Sequence, residues 1–259
     1  MTEPGRPYLS IVVPAYNEEE RLGRSLPLID AYLRERAFDA EILVVDDGSR
    51  DATAKVAESF LHGRRGRLLR NRENRGKGYS VRKGTLQSEG RFVLITDADL
   101  SSPIEEHEKL AAAIRDHDLD VAIGSRALPE SQIEIHQAWW REFMGRTFNK
   151  LMQGITGLPF HDTQCGFKLV DRERTRPIFE KLLVDRFAYD VELLFLCVRF
   201  GLAVREVPVV WRNDPASAVR PLTDAPSMLL DVMKVRWRFR RGVYNPKAED
   251  GEGGSHREG

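Results

Sequence analysis

Residues 91–103 read RFVLITDADLSSP, an apolar run that closes on Asp97 and Asp99. Two carboxylates one residue apart repel each other, so a strand ending in both calls for a compensating cation. Hard carboxylate oxygens suit Mg²⁺ or Mn²⁺, ions that complete their shells with phosphate oxygens and water. Such an ion clamps a diphosphate and stabilises the charge on a departing one. Alone the D-x-D pattern says little, because acidic loops contain it by chance.

Its surroundings say more. The segment NRENRGKGYSVRKG (71–84) sets Arg75 and Lys77 among glycines ahead of a helical pattern. That arrangement suits an anion approaching backbone N–H groups at a helix start, with a solvated basic turn as the competing reading. Asp46 and Asp47 close a second apolar run and can accept hydrogen bonds from a base or ribose. No G-x-G-x-x-G follows the first apolar run and no G-x-x-x-x-G-K-[ST] occurs. The pattern describes a nucleotide-diphosphate site of another design.

The elements that must position these residues alternate. Strands are predicted at 9–16, 40–47, 67–71, 91–99 and 120–126, with helices at 18–36, 51–60 and 78–88. Ser49 or Asp51 serves as a cap for the second of these helices. Short apolar strands alternating with helices predict an α/β fold with a mostly parallel sheet covered on both faces. Ligands of such sheets bind beyond the carboxyl ends of the strands. Here those ends carry Pro14-Ala15-Tyr16-Asn17-Glu18, Asp46-Asp47, Asp97-Ala98-Asp99 and Gly124-Ser125-Arg126.

After residue 128 the pattern changes. A helix is predicted over 136–158, with Trp139, Trp140, Phe143, Met144, Phe148, Leu151, Met152 and Ile155 on a wide apolar face. A strand follows at 162–170, then a helix capped by Asp171, a helix over 188–201 closed by Gly201, and a strand at 203–211. The last helix, 227–244, interleaves Lys234, Arg236, Arg238, Arg240 and Arg241 with Trp237, Phe239 and Tyr244. That mixture suits the interface of an anionic bilayer, at about 1 kcal/mol per basic residue. The domain reading is therefore a flexible 1–7, an α/β domain at 8–225 whose pattern changes near 127/128, an interface helix at 226–244 and a disordered tail at 245–259.

Composition bounds the partners. Lys plus Arg and Asp plus Glu both total 40, so no global field draws the chain to nucleic acid. Cys165 and Cys197 are too few for a disulfide framework. No signal peptide and no apolar run long enough to span a bilayer is present in the sequence. The expectation is a cytoplasmic protein that meets a membrane from its surface.

VVPAYNEE, VVDDGSRDAT, NRGKG, DADLSSP and GSR together resemble the nucleotide-sugar domain of family 2 glycosyltransferases, which have the GT-A (Rossmann-like) fold. DTQCGFKLVDRE, FAYDVELLFL and VPVVW are similar to the dolichyl-phosphate β-glucosyltransferases, with the dolichyl-phosphate mannosyltransferases as close cousins. The resemblance covers roughly residues 8–244. It implies transfer of a hexose, glucose from UDP-glucose or mannose from GDP-mannose, to dolichyl or polyprenyl phosphate. It implies that Pro14, Ala15, Tyr16, Glu18 and Asp46 line the nucleoside pocket, with Asp47 and Lys77 nearby. Asp97, Ala98 and Asp99 would take the sugar diphosphate and its Mg²⁺ or Mn²⁺, Asp99 more directly. Arg126 would meet a phosphate of donor or acceptor, and Gln164 with the DTQCG turn would face the sugar and acceptor.

Three positions depart from the family pattern. Ser101 stands where the mannosyl enzymes carry Gln, ASAVRP (216–221) offers Arg220 in place of a lysine, and the membrane anchor that opens the eukaryotic glucosyl enzymes is not seen. The acceptor sets the mechanism. A phosphate monoester is anionic near neutral pH, its second pKa being about 6, and attacks without strong base help. Positioning and electrostatics then do most of the work, and direct attack inverts the anomeric centre. If a carboxylate assists, Asp162 is the first candidate and Asp190 the second, each with capping or salt-bridging as the competing role. A saccharide acceptor would instead demand a dedicated base. Donor base, hexose, lipid length and oligomeric state are left open.

Overall fold

The structure is a computed structural model and describes residues 5–135, 139–212 and 221–245. The strands are β1 (Leu9–Ala15), β2 (Ala40–Asp46), β3 (Gly66–Arg70), β4 (Phe92–Ile95) and β5 (Val121–Ser125) in the first half. The second half adds β6 (Gln132–Ile135), β7 (Lys168–Asp171), β8 (Val204–Pro208) and β9 (Val210–Arg212). Seven of these form one sheet in the order β3-β2-β1-β4-β7-β5-β8, while β6 and β9 pair separately. Strands β1, β2 and β4 are mutually parallel. Only β7 runs against its neighbours, inserted between β4 and β5. Two reversals leave β5 parallel to β4, so the carboxyl ends of β1, β2, β4 and β5 meet at one rim, as the alternation predicts.

The sheet is covered on both faces, which explains its near-continuous apolar strands. Along β1, Leu9, Ile11, Val13 and Ala15 enter one core and Val12 the other, following the two-residue period of a strand. The first core is closed by α1 (Glu19–Arg34), α2 (Thr53–Leu61) and α4 (His107–His117). The second is closed by α3 (Lys77–Gln87), α5 (Trp139–Thr156), α6 (Arg172–Lys181), α7 (Tyr189–Arg199) and α8 (Pro221–Arg240). Asp171 caps α6 by accepting the N–H groups of Glu173 and Arg174, and α7 closes at Gly201 through Leu202 N–H to the Cys197 carbonyl, 2.9 Å. Both cysteines are buried and free.

Several boundaries move. The predicted strand at 162–170 survives only as β7, because Glu206 takes the backbone N–H groups of His161 and Asp162 at 2.9 and 2.8 Å, and residues 162–167 form a loop. The second helix starts at Thr53 behind Ala52; Asp51 accepts the Thr53 N–H, and Ser49 turns to Asn17 instead. The last helix begins before residue 227 and ends at Arg240, where Gly242 takes φ +71 and lets Val243 N–H return to the Arg238 carbonyl. The domain boundary expected at 225/226 therefore falls inside α8. The side chains of Trp139, Trp140, Phe143, Met144 and Phe148, as well as Arg220 and the 246–259 tail, lie outside the described residues.

Candidate active site

One end of the rim is built by two loops that bond to each other. Asn17, at φ 54, donates its N–H to Ser49 Oγ and accepts the Arg50 N–H, both at 2.9 Å. Glu18 N–H donates to Thr53 Oγ1 at 2.7 Å. Pro14 and Ala15 belong to buried β1, so they offer backbone, whereas Tyr16 stands exposed above them. Asp46 is fully buried; Oδ1 takes the Ser49 N–H, and Oδ2 makes no hydrogen bond, the nearest cation being Arg70 Nε at 3.4 Å. Asp47 does different work. Its oxygens accept Asn71 Nδ2, Arg75 N–H and Gly76 N–H at 2.7, 3.0 and 2.7 Å, fixing the basic loop that leads into α3.

That loop delivers Lys77 to Asp97, Nζ to Oδ1 2.5 Å. Burial opposes the charge on both groups, but their attraction wins, holding the lysine above and the carboxyl below their ordinary ranges. Lys168 and Arg126 reinforce the effect on Asp97. Asp99 is the opposite case. Burial and the neighbouring Asp97 charge push its carboxyl up, only partly offset by Ser101, whose N–H it accepts at 2.9 Å. Burial likewise raises Glu18, with Asp99 and Asp97 adding to it, although Arg21 holds both Glu18 oxygens at 2.9 and 2.8 Å. Negative charge is thus over-supplied around Asp99. Ala98 sits buried between the pair.

The end of the rim beyond β5 is built on an ion pair. Arg126 Nε and Nη2 grip Asp162 at 2.6 and 2.9 Å, and the Arg126 N–H donates to the same carboxylate at 3.0 Å. The guanidinium also lies 5.4 Å from the Trp211 ring centre. Burial works against both charges and the pairing outweighs it, so Asp162 sits below the ordinary carboxylate range and Arg126 above its own. A carboxylate so held is a poor proton acceptor at neutral pH. Asp162 is placed to orient Arg126, the salt-bridging role weighed against that of a base. Asp190 is no better placed, being buried and ion-paired to Lys168. Gln164 joins the group through its N–H to Asp162 Oδ1, 3.2 Å, with its side chain partly exposed.

Two residues inside DTQCGFK were passed over in the sequence. Lys168 is fully buried and bonds Asp190 and the Cys165 carbonyl; a lysine within an apolar strand was the available signal. Gly166 lies against Asp97, where an added Cβ would meet Oδ2 at 2.1 Å. The whole carboxylate must move, so Gly166→Ala should displace Asp97 and loosen its pair with Lys77. Transfer by this variant is expected to fall about 10²-fold while thermal unfolding stays cooperative; a rate equal to the parent's would show that Asp97 need not stand where it does.

Do these residues suit a divalent ion? Among the described residues no three His, Cys, Asp or Glu converge on one point. Asp97 and Asp99 offer hard oxygens, and Asp99 has no basic side chain paired to it among the ion pairs of the described residues. The donor set fits Mg²⁺ or Mn²⁺ completed by diphosphate and water.

A parallel sheet with one reversed strand, acidic ends on β2 and β4 and an arginine beyond β5 defines a GT-A-type nucleotide-sugar fold. The chain belongs to glycosyl transferase family 2, which matches residues 10–179. It is 35% identical over 253 residues to the dolichyl-phosphate beta-glucosyltransferase of Dictyostelium discoideum, covering 93% of this chain and 77% of that protein. The human protein of the same name is 34% identical over 249 residues, at 91% and 77% coverage. Among solved structures, the mannosyl-3-phosphoglycerate synthase of Rubrobacter xylanophilus superposes with TM-score 0.70 at 20% identity, covering 95% of this chain and 78% of that one. The glucosyl-3-phosphoglycerate synthase of Mycobacterium tuberculosis, solved with Mn²⁺, UDP-glucose and phosphoglyceric acid, gives 0.64 at 21% identity, with 92% and 80% covered. No helix among the described residues is long and apolar enough to cross a membrane.

Proposed function

We propose that this protein transfers glucose from UDP-glucose to the phosphate of a dolichyl or other polyprenyl phosphate, inverting the anomeric centre. The observation that carries this reading is one rim that brings Asp97 and Asp99, after β4, together with the Arg126 guanidinium beyond β5. The first suits a metal-bound diphosphate, the second a phosphate monoester. The relatives named for this reaction support the acceptor, and the neighbour solved with Mn²⁺ and UDP-glucose supports the donor and the metal.

Asp99, with Asp97, would hold Mg²⁺ or Mn²⁺, which when bound offsets charge on the leaving diphosphate. Lys77 keeps Asp97 ionised and in place. Asp46, with one buried oxygen lacking a hydrogen bond, suits the N–H of a nucleobase. Arg126 steadies the acceptor: Asp162 occupies Nε and Nη2, leaving Nη1 for a phosphate oxygen. An acceptor oxygen forms its bond to the sugar C1 as the C1–O bond to the diphosphate breaks, and an α-linked donor yields a β-linked lipid. No protein base is needed, since the acceptor is already an anion.

The test is incubation of the protein and Mg²⁺ with polyprenyl phosphate and a panel of UDP- and GDP-sugars, followed by analysis of lipid-linked sugar. A β-glucosyl lipid from UDP-glucose is expected. Product from GDP-mannose alone reassigns the sugar, and no product with any donor overturns the acceptor.

A further inference from the structure

Trp211 closes the VPVVW segment and is the middle residue of strand β9. That strand is held from both sides. Val209 N–H donates to the carbonyl of Ser125, the residue before Arg126, at 3.3 Å, and Arg212 N–H donates to the Ser101 carbonyl at 2.7 Å. Ser101 in turn gives its own N–H to Asp99 Oδ1 at 2.9 Å. Trp211 therefore lies between the loop that carries Asp99 and the Arg126 guanidinium, which is 5.4 Å from its ring centre.

The two-strand sheet turns unlike residues to its two sides. Successive side chains of a strand point to opposite faces. Arg212 makes an exposed ion pair with Glu134 at 2.6 Å, so Trp211 points the other way. Its parallel register partner is Ile133, which points with it. Both are only half-buried. An indole and an isoleucine left part-open to water form an apolar ledge beside the arginine. Propping Arg126 does not account for the ledge, because Asp162 already fixes that guanidinium through Nε and Nη2.

We propose that Trp211, with Ile133, is a specificity-determining surface for the acceptor: it receives the first isoprene unit of a polyprenyl phosphate whose phosphate Arg126 holds. The inference deepens the polyprenyl-phosphate reading and rests on it. A branched C5 unit loses water against both side chains, whereas a carboxylate or hydroxyl beside the phosphate gains nothing from either. The hexose is a poorer occupant, since Ile133 offers its hydroxyl groups no hydrogen-bond partner. Selection on this ledge acts at the first unit of the lipid, whatever the chain length and with no bilayer present.

The test is titration calorimetry, in the presence of UDP and Mg²⁺, with two water-soluble phosphates of similar length. One is citronellyl phosphate and the other the phosphate monoester of a short oligoethylene glycol. The parent should bind the isoprenoid at least about 10-fold more tightly. Trp211→Ala should bind the two alike and Trp211→Phe should keep most of the preference. Ile133→Ser, which leaves the ring beside Arg126 in place, should lose about 3-fold of it. In transfer assays Trp211→Ala should raise the KM for citronellyl phosphate about 10-fold, with kcat and the KM for UDP-glucose unchanged.

A parent without preference overturns the proposal. So does equal weakening of both phosphates by Trp211→Ala, which would make the ring a prop for Arg126, or a raised KM for UDP-glucose alone, which would give the ring to the hexose. A preference lost in Trp211→Ala while no lipid-linked sugar forms with any donor would sink the reaction and leave the ledge standing. Transfer with the preference intact in Trp211→Ala does the reverse.

Discussion

Asp99→Asn abolishes most sugar transfer, lowering kcat by about 10²–10³-fold, the size of effect seen when one electrostatic stabiliser of a leaving group is removed. Calorimetry with UDP-glucose should show the parent's affinity rising with Mg²⁺ or Mn²⁺ and the variant's indifferent to both. The same substitution should not harm the fold. Burial and Asp97 raise the Asp99 carboxyl in the native state above its ordinary value of 3.8, so the native chain binds this proton more tightly than the unfolded chain. Stability from Asp99 is then greatest at low pH and declines as pH climbs from that ordinary value through the raised native one. Asparagine removes the decline. Urea unfolding at neutral pH should find the variant at least as stable as the parent. A destabilised variant would mean that Asp99 is structural.

Lys168→Met carries the largest effect on stability. Lys168 is fully buried and Asp190 nearly so, and they pair directly. Removing the cation leaves an uncompensated buried carboxylate, expected to cost about 3–5 kcal/mol in urea unfolding. Replacing both partners, Lys168→Met with Asp190→Leu, should restore most of the loss, because paired apolar side chains of similar volume are often neutral. Lys168 also helps hold Asp97 below its ordinary range. The double variant should therefore fold well yet show weakened metal-dependent donor binding. A single variant as stable as the parent would show that water reaches Asp190.

The alternation of apolar runs was enough to place β1, β2, β4 and β5 and their common rim, because a strand covered on both faces has little freedom to read otherwise. The acidic pair was legible for the same reason: Asp97 and Asp99 follow a run that must be buried. The loop at 162–167 was not. DTQCGFKLV has strand-like residues throughout, and only the distant Glu206 diverts the backbone of His161 and Asp162. The partners of Asp162 and Asp190 were hidden likewise, since ion pairs spanning 36 and 22 positions leave no local periodicity. Asp47 could be seen as acidic but not as a loop tie, a role set by three N–H groups more than twenty residues away.

The reversed strand β7 has a consequence for how the molecule tolerates change. Because it enters the sheet backwards, the chain reaches the working rim on its way in, and leaves at the far side. Insertions ahead of Cys165 would remodel the loop around Asp162 and Gln164 without shifting the register of β1, β2 or β4. Residues from Gly166 onward are less free, because that glycine packs on Asp97.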